Sequence, residues 1–350
     1  MVAAALVLLN ACDKKDDRTT IPKPEPEEPI KLGVLPVVFH VFYADENDAT
    51  QKVPAERLRQ VLDNVNRLYQ GVYSGTGNTD IRFLLTPVDK EGNRLDVPGV
   101  EYIKLEKSEY PIDPYVLMND KSGKYKQYMW DPNRFVNVYV YHFKQTKTNG
   151  TTLGISHMAI SAKGEHELEG LFAVQARHLT LDNLPTPFCV SVNSKYVNEE
   201  SNRYKDWPNL HFLRINSADF NVTLAHEFGE EDGEYIDGFK DTDYCKDTPT
   251  YNKVAYDKFL AEYIRTHNAQ TINLKDLLKR TGSDGKTFDS NNIMDYAISL
   301  GHTFTQDQTE RMRHVLNYSL LIPRPGSRSR SVDAHDKPQG VVDVKFRVIE

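Results

Sequence analysis

Leu224-Ala225-His226-Glu227-Phe228-Gly229-Glu230 is the segment of this chain whose residue types and spacing can do chemistry. Residues four apart on a helix share a face. His226 and the side chain at 230 can therefore hold one metal ion, while Glu227 between them holds an attacking water as general base. The full arrangement for that chemistry is H-E-x-x-H, and here the fifth position is Glu230, a carboxylate where a second imidazole would stand. The H-E pair alone is weak evidence. Among eleven histidines about one such pair arises by chance, and His166-Glu167 supplies another. The surroundings must decide.

The pair needs a helix to carry it and a sheet to carry the helix. Phe220, Leu224 and Phe228 recur at helical spacing, with Ser217 available as N-cap, so a short helix is expected over 217–229. Val34 to Tyr43, rich in β-branched and aromatic residues, reads as a buried strand. Pro54 then opens a helix whose stripe is Leu58, Val61, Leu62, Val65, Leu68 and Tyr69, with Gly71 as its stop. Further strands are expected at Ile81 to Val88, Phe135 to Phe143, Leu153 to Ile160 (an edge strand) and Phe188 to Val192. This is an α/β pattern with a mixed sheet. Beyond the site segment the chain turns helical. Tyr256, Phe259, Leu260, Tyr263 and Ile264 form one stripe, and Leu274, Leu277 and Leu278 a shorter one. Thr305 with Gln308 fits a capping box opening a helix that carries Met312, Val315 and Leu316. The segment 321–350, ending in VVDVKFRVIE, has no evident place in this scheme.

The context becomes specific further along, where Asn292-Ile293-Met294-Asp295-Tyr296 precedes Phe304-Thr305 and Arg311-Met312. With the H-E helix and Asp243-Tyr244-Cys245-Lys246-Asp247-Thr248-Pro249, this set resembles the metzincin zinc peptidases. Within them it is similar to the pappalysin-like metalloproteinase lipoproteins of bacterial envelopes, from about residue 34 to 320. The resemblance implies a zincin-like α/β (α+β) fold, with a mixed N-terminal sheet and helices, a helical C-terminal lobe and a Met-turn that places Met294 beneath the metal. It also implies a zinc-dependent metalloendopeptidase with Glu227 as general base. Tyr296, at M-x-Y spacing, resembles the tyrosine that in some metzincins contacts the metal or hydrogen-bonds the oxyanion; a core tyrosine behind the turn is the competing account.

The chain departs from the family pattern H-E-x-x-H-x-x-G-x-x-H. Without gaps, His226, Glu227 and Gly233 fit, Glu230 becomes the second ligand, and the third position is Ile236 with Asp237 one place late. With a gap, residues 230–237 match the loop that follows the third histidine, and the helix should end close to Gly229. Either way two histidines are missing. A mixed set of His226, Glu230 and Asp237 is the metal site that remains, and one rich in carboxylates holds zinc less tightly. The alternative function follows: a catalytically inactive pseudo-protease that binds peptides or proteins. Between 230 and 247 stand eight acidic residues against two lysines, which permits calcium but also a solvated acidic loop. His40, inside the first strand, reads as a satisfied core histidine.

Composition bounds the rest. At 39% hydrophobic and 27% charged over 350 residues, the chain can bury a large core, and a net charge of −7 argues against a nucleic-acid partner. The partners expected are a polypeptide substrate or ligand and a membrane, with the chain acting as a monomer. Residues 2–11 are an apolar run too short to span a bilayer. Leu9-Asn10-Ala11-Cys12 resembles a bacterial lipobox, which makes 1–11 a signal peptide, Cys12 the lipidated residue and the proline-rich stretch 12–30 a tether. That places the protein on the outer membrane, facing the surface. The folded part then runs as subdomains 31–229 and 230–320 with an extension 321–350. Cys189 and Cys245 remain; an oxidising envelope allows a disulfide between them, or they are two separate buried thiols.

Overall fold

β1 (Gly33–Tyr43) is eleven residues long and buried over nearly all of them, so it belongs at the centre of a sheet. The computed structural model describes residues 33–145, 152–176, 178–229, 244–268, 271–324, 340–342 and the backbone of 348–349. In chain order β1 is followed by α1 (Ala55–Tyr69), β2 (Ile81–Leu85), β3 (Val100–Lys104), α2 (Pro114–Met118), β4 (Val136–Tyr141), β5 (Gly154–His157), β6 (Ile160–Ala162), β7 (Phe172–Val174) and β8 (Val190–Asn193). Then come α3 (Arg203–Asp206), α4 (Phe220–Gly229), α5 (Lys253–Thr266), α6 (Leu274–Leu278), β9 (Lys279–Thr281), β10 (Thr287–Asp289), α7 (Gln306–Tyr318) and β11 (Val348–Ile349).

The main sheet is mixed, in the order β11-β5-β8-β4-β1-β2. β2 and β3 share one edge of β1, pairing with Gly33–Val37 and Phe39–Tyr43 in turn, both parallel. On the other edge β4 and β8 continue parallel, and β5 closes antiparallel on β8. The α/β architecture expected from the sequence is therefore present. Two expectations change. Leu153 to Ile160 is not the outermost strand, because β11 from the unplaced C-terminal segment pairs antiparallel with β5. β3 was not foreseen, since Val100-Glu101-Tyr102-Ile103-Lys104 is short and carries two charged residues in five.

α1 lies on one face of the sheet and buries the whole predicted stripe from Leu58 to Tyr69, each large side chain contributing about 1.5–3 kcal/mol. Asn66 fixes its register: its amide donates to Phe83 O at 2.8 Å and accepts from Phe83 N at 2.8 Å. Gly71 ends the helix at φ +66°, and a Cβ there would lie 2.1 Å from Thr76 O, so only glycine fits. One apolar core joins residues from both sides of position 230, with Ile293, Phe304 and Met312 packed among Val37, Leu58, Tyr69 and Leu224. His40 is fully buried and satisfied, 2.7 Å from Glu101 Oε2 and 2.9 Å from Asn137 Oδ1.

Of the two accounts left open for Cys189 and Cys245, the disulfide is absent. Cys189 is buried with Phe42, Tyr139 and Ile155 on the other side of the sheet, its Sγ 3.7 Å from Met118 Sδ, and burial pushes its thiol well above the usual range. Cys245 is buried in a loop tied to the first turn of α7. These are two separate buried thiols. Cys12 lies outside the described residues.

Candidate active site

α4 is positioned from its N-terminus. Asp219 caps it, accepting from Asn221 N at 3.0 Å and Val222 N at 3.3 Å. The expected cap, Ser217, stands two residues too early. A carboxylate suits this position because it meets the unpaired amides and the positive end of the helix dipole. Asp219 also accepts from Ser201 N at 2.9 Å and Tyr204 Oη at 3.2 Å, which fastens the helix to α3. Along the helix Phe220, Leu224 and Ala225 are buried, and Tyr69 of α1 donates to Ala225 O at 3.0 Å.

That placement leaves His226 and Glu227 facing the wall of one cleft, of about 440 Å³, lined by Leu153, Gly154, His226, Glu227, Ile293 and Tyr296 among others. His226 Nδ1 lies 2.9 Å from Ile293 O. A carbonyl can only accept, so Nδ1 carries a proton, and in the neutral ring Nε2 is the lone-pair nitrogen, the tautomer a metal-binding histidine needs. The Tyr296 ring stands edge-on to His226, centroids 5.0 Å apart. Glu227 is only 5% exposed and lies against β5. A Cβ on Gly154 would come within 2.3 Å of Glu227 Oε1, so glycine here is what admits the carboxylate.

The turn carrying Met294 sits against the last turn of α4. A Cβ on Gly229 would lie 3.2 Å from Met294 Sδ, 3.2 Å from Tyr69 Oη and 3.5 Å from Met312 Sδ. Asn292 shapes the turn, accepting from Met294 N at 2.8 Å and donating to Gln308 Oε1 at 2.9 Å. Gln308 is also the capping-box residue of α7, formed with Thr305 as expected. Asp295 is held from behind. Tyr251 donates to it at 2.6 Å, Ser290 and Ala297 N donate as well, and the Arg280 guanidinium lies 3.4 Å away. Arg280 is itself buried, donating to Leu277 O and Ile298 O with its guanidinium carbon 3.7 Å from the Tyr256 ring centre. Burial and the neighbouring Asp295 push the Tyr251 phenol well above its usual range, so it stays a donor.

The structure brings His226, Glu227, Met294 and Tyr296 together. Glu230 and Asp237 lie outside the described residues, as does the point where α4 gives way to the acidic stretch. Among the described residues no three His, Cys, Asp or Glu side chains converge as a metal site. His226 suits a metal in tautomer, but the described donors alone do not complete a zinc site. Of the acidic stretch read as a calcium candidate, Asp247 is described, and it accepts from Asp307 N at 3.1 Å while Asp307 accepts from Lys246 N at 2.8 Å. His302 is not part of the cleft wall; burial and the Arg203 charge pull its pKa down to about 4. Sequence reasoning missed Asp219, Gly154 and Arg280. Gly154 carried the one usable signal, a glycine inside a strand pattern, which marks a close approach.

Residues 193–317 match the peptidase family model described as pregnancy-associated plasma protein-A. No curated protein matches the chain. Among solved structures, mature mirolysin of Tannerella forsythia in complex with a cleaved peptide aligns at 19% identity and a TM-score of 0.48, covering 81% of this chain and 92% of that one. A mutant of promirolysin from the same organism aligns at 20% identity and a TM-score of 0.47, covering 82% and 81%.

Proposed function

Starting from a chain whose residues 193–317 match the pregnancy-associated plasma protein-A peptidase family model, we propose that it is a zinc-dependent endopeptidase of the pappalysin-like family, held on the bacterial outer membrane through Cys12. The observation that carries this reading is the 2.9 Å contact between His226 Nδ1 and Ile293 O. It joins the H-E helix to the methionine turn and sets the imidazole in the tautomer a metal requires. In this reading Glu230 and Asp237, together with His226, would hold the metal. Zinc, if bound there, would supply Lewis acidity for polarising the scissile carbonyl.

The chain's own residues do the rest. Glu227, buried against Gly154, takes a proton from the attacking water and returns it to the leaving amine. Tyr296 donates to the oxygen on which negative charge develops. An extended polypeptide is the substrate.

A second reading, the pseudo-protease, is favoured by the sequence, in which Glu230 and Ile236 stand where the family pattern has its second and third histidines. Metal analysis of the purified mature chain separates the two. Stoichiometric zinc that is lost in His226→Ala and in Glu230→Ala, with cleavage of denatured protein, supports the peptidase. A metal-free chain that binds peptides and cuts nothing supports the pseudo-protease. For the anchor, Cys12→Ala should move the protein from the membrane to the soluble fraction; unchanged membrane retention would overturn it.

A further inference from the structure

β5 presents two edges, and the hydrogen-bond alternation says what each one offers. His157 N donates to Cys189 O, and Asn193 N donates to Leu153 O, so residues 153, 155 and 157 face β8. Their neighbours Gly154 and Ser156 therefore turn their N–H and C=O groups to the outer edge. An outer edge of this kind is a template for strand addition by an extended polypeptide. It runs beside the chemistry, because Gly154 packs on Glu227 and shares the cleft with His226.

Val348 and Ile349 take part of that edge. They pair antiparallel with His157 and Ser156, in the register Val348↔His157 and Ile349↔Ser156. Numbers rise along β11 as they fall along β5, so the strand runs toward Gly154 and the cleft. We propose that the chain's own C-terminal strand caps the peptide-accepting edge of β5 in cis, in competition with an extended polypeptide from outside. The proposal rests on reading the cleft as a peptide site. Held on the same chain, the cap acts at an effective concentration of about a millimolar, so an outside peptide of weaker affinity is shut out.

The alternation names the variants. Ser156 faces outward opposite Ile349, so this pair exchanges the hydrogen bonds, and Ile349→Pro deletes a donor to β5. Val348 opposes His157, whose groups face β8, so Val348→Pro removes no bond to β5 and serves as the control. The test uses full-length protein and a dye-labelled peptide with the sequence of residues 341–350, VVDVKFRVIE. The peptide should bind Ile349→Pro at least about tenfold more tightly than wild type or Val348→Pro. The Ser156 amide should also exchange faster in Ile349→Pro when no peptide is present. Equal peptide binding by all three proteins, or equal Ser156 exchange, would overturn the proposal. Cleavage of denatured protein is scored separately. Peptide binding released by Ile349→Pro without cleavage in any variant would sustain the cap and sink the peptidase reading; cleavage at one rate in all three would do the reverse.

Discussion

Replacing Arg280 with methionine removes the cation behind the methionine turn and keeps most of its volume. Arg280 is 2% exposed, donates to Leu277 O at 2.8 Å and Ile298 O at 2.7 Å, and stacks on Tyr256. Methionine restores none of these bonds, and Asp295, with its side chain 7% exposed, is left without its counter-charge. Breaking a buried ion pair from one side costs about 3–5 kcal/mol. Two carbonyls that lose donors raise the cost, whereas Tyr251, Ser290 and Ala297 N still serve Asp295 and lower it. A loss of about 3–4 kcal/mol follows. The assay is urea unfolding followed by circular dichroism, where the midpoint should fall with the slope unchanged. Asp295→Asn in the same background should add less than it does alone, with a coupling of about 1–3 kcal/mol. A loss under about 1 kcal/mol, or simple additivity, would refute the argument that the pair holds the turn.

Three other outcomes follow from the site. Gly154→Ala puts a methyl 2.3 Å from Glu227 Oε1; the displaced carboxylate should slow peptide cleavage about 100-fold for about 1–3 kcal/mol of stability, and an unchanged rate would show that Glu227 does not act from this position. Gln308→Ala removes half of the α7 capping box and the Asn292 contact together, so it should cost about 1–2 kcal/mol, and more than Thr305→Ala; equal losses in thermal unfolding would count against the link between α7 and the turn. Burial pulls the His157 pKa from 6.5 down to about 4. The folded state then binds this proton less readily than the unfolded state, so the contribution is full above about pH 6.5 and is lost as pH falls toward 4. His157→Gln should flatten that part of the stability profile, where the histidine is worth about 3 kcal/mol, and an identical slope would contradict the assignment.

What could be read in advance was what repeats. α1 shows six apolar positions on one face, β1 and β4 are rich in β-branched and aromatic residues, and the α7 box is a local four-residue signal. Each of these is decided within a dozen residues. The α4 cap was misplaced because Ser217 and Asp219 are both good caps, and the choice between them is made by Ser201 N, just ahead of α3, and by Tyr204 within it. Arg280 was invisible for a similar reason. Its burial depends on Tyr256, Asp295 and the Ile298 carbonyl, partners that only the fold assembles. β6 with β7 and β9 with β10 are three-residue ladders too short to carry an alternation. β11 is two described residues whose partner, β5, lies far off in the chain. The H-E pair was legible as residues, but its meaning came from the methionine turn, which reaches it through one carbonyl at 2.9 Å.

In the proposed function Glu227 on α4 moves the proton in peptide hydrolysis. The most direct measurement is the rate at which full-length protein with bound zinc cleaves a denatured protein, compared with Glu227→Gln under the same conditions. Wild type should cleave, and Glu227→Gln should be slower by about 100- to 10,000-fold with zinc still bound. Equal rates, or no cleavage by a zinc-loaded wild type, would contradict this role for Glu227.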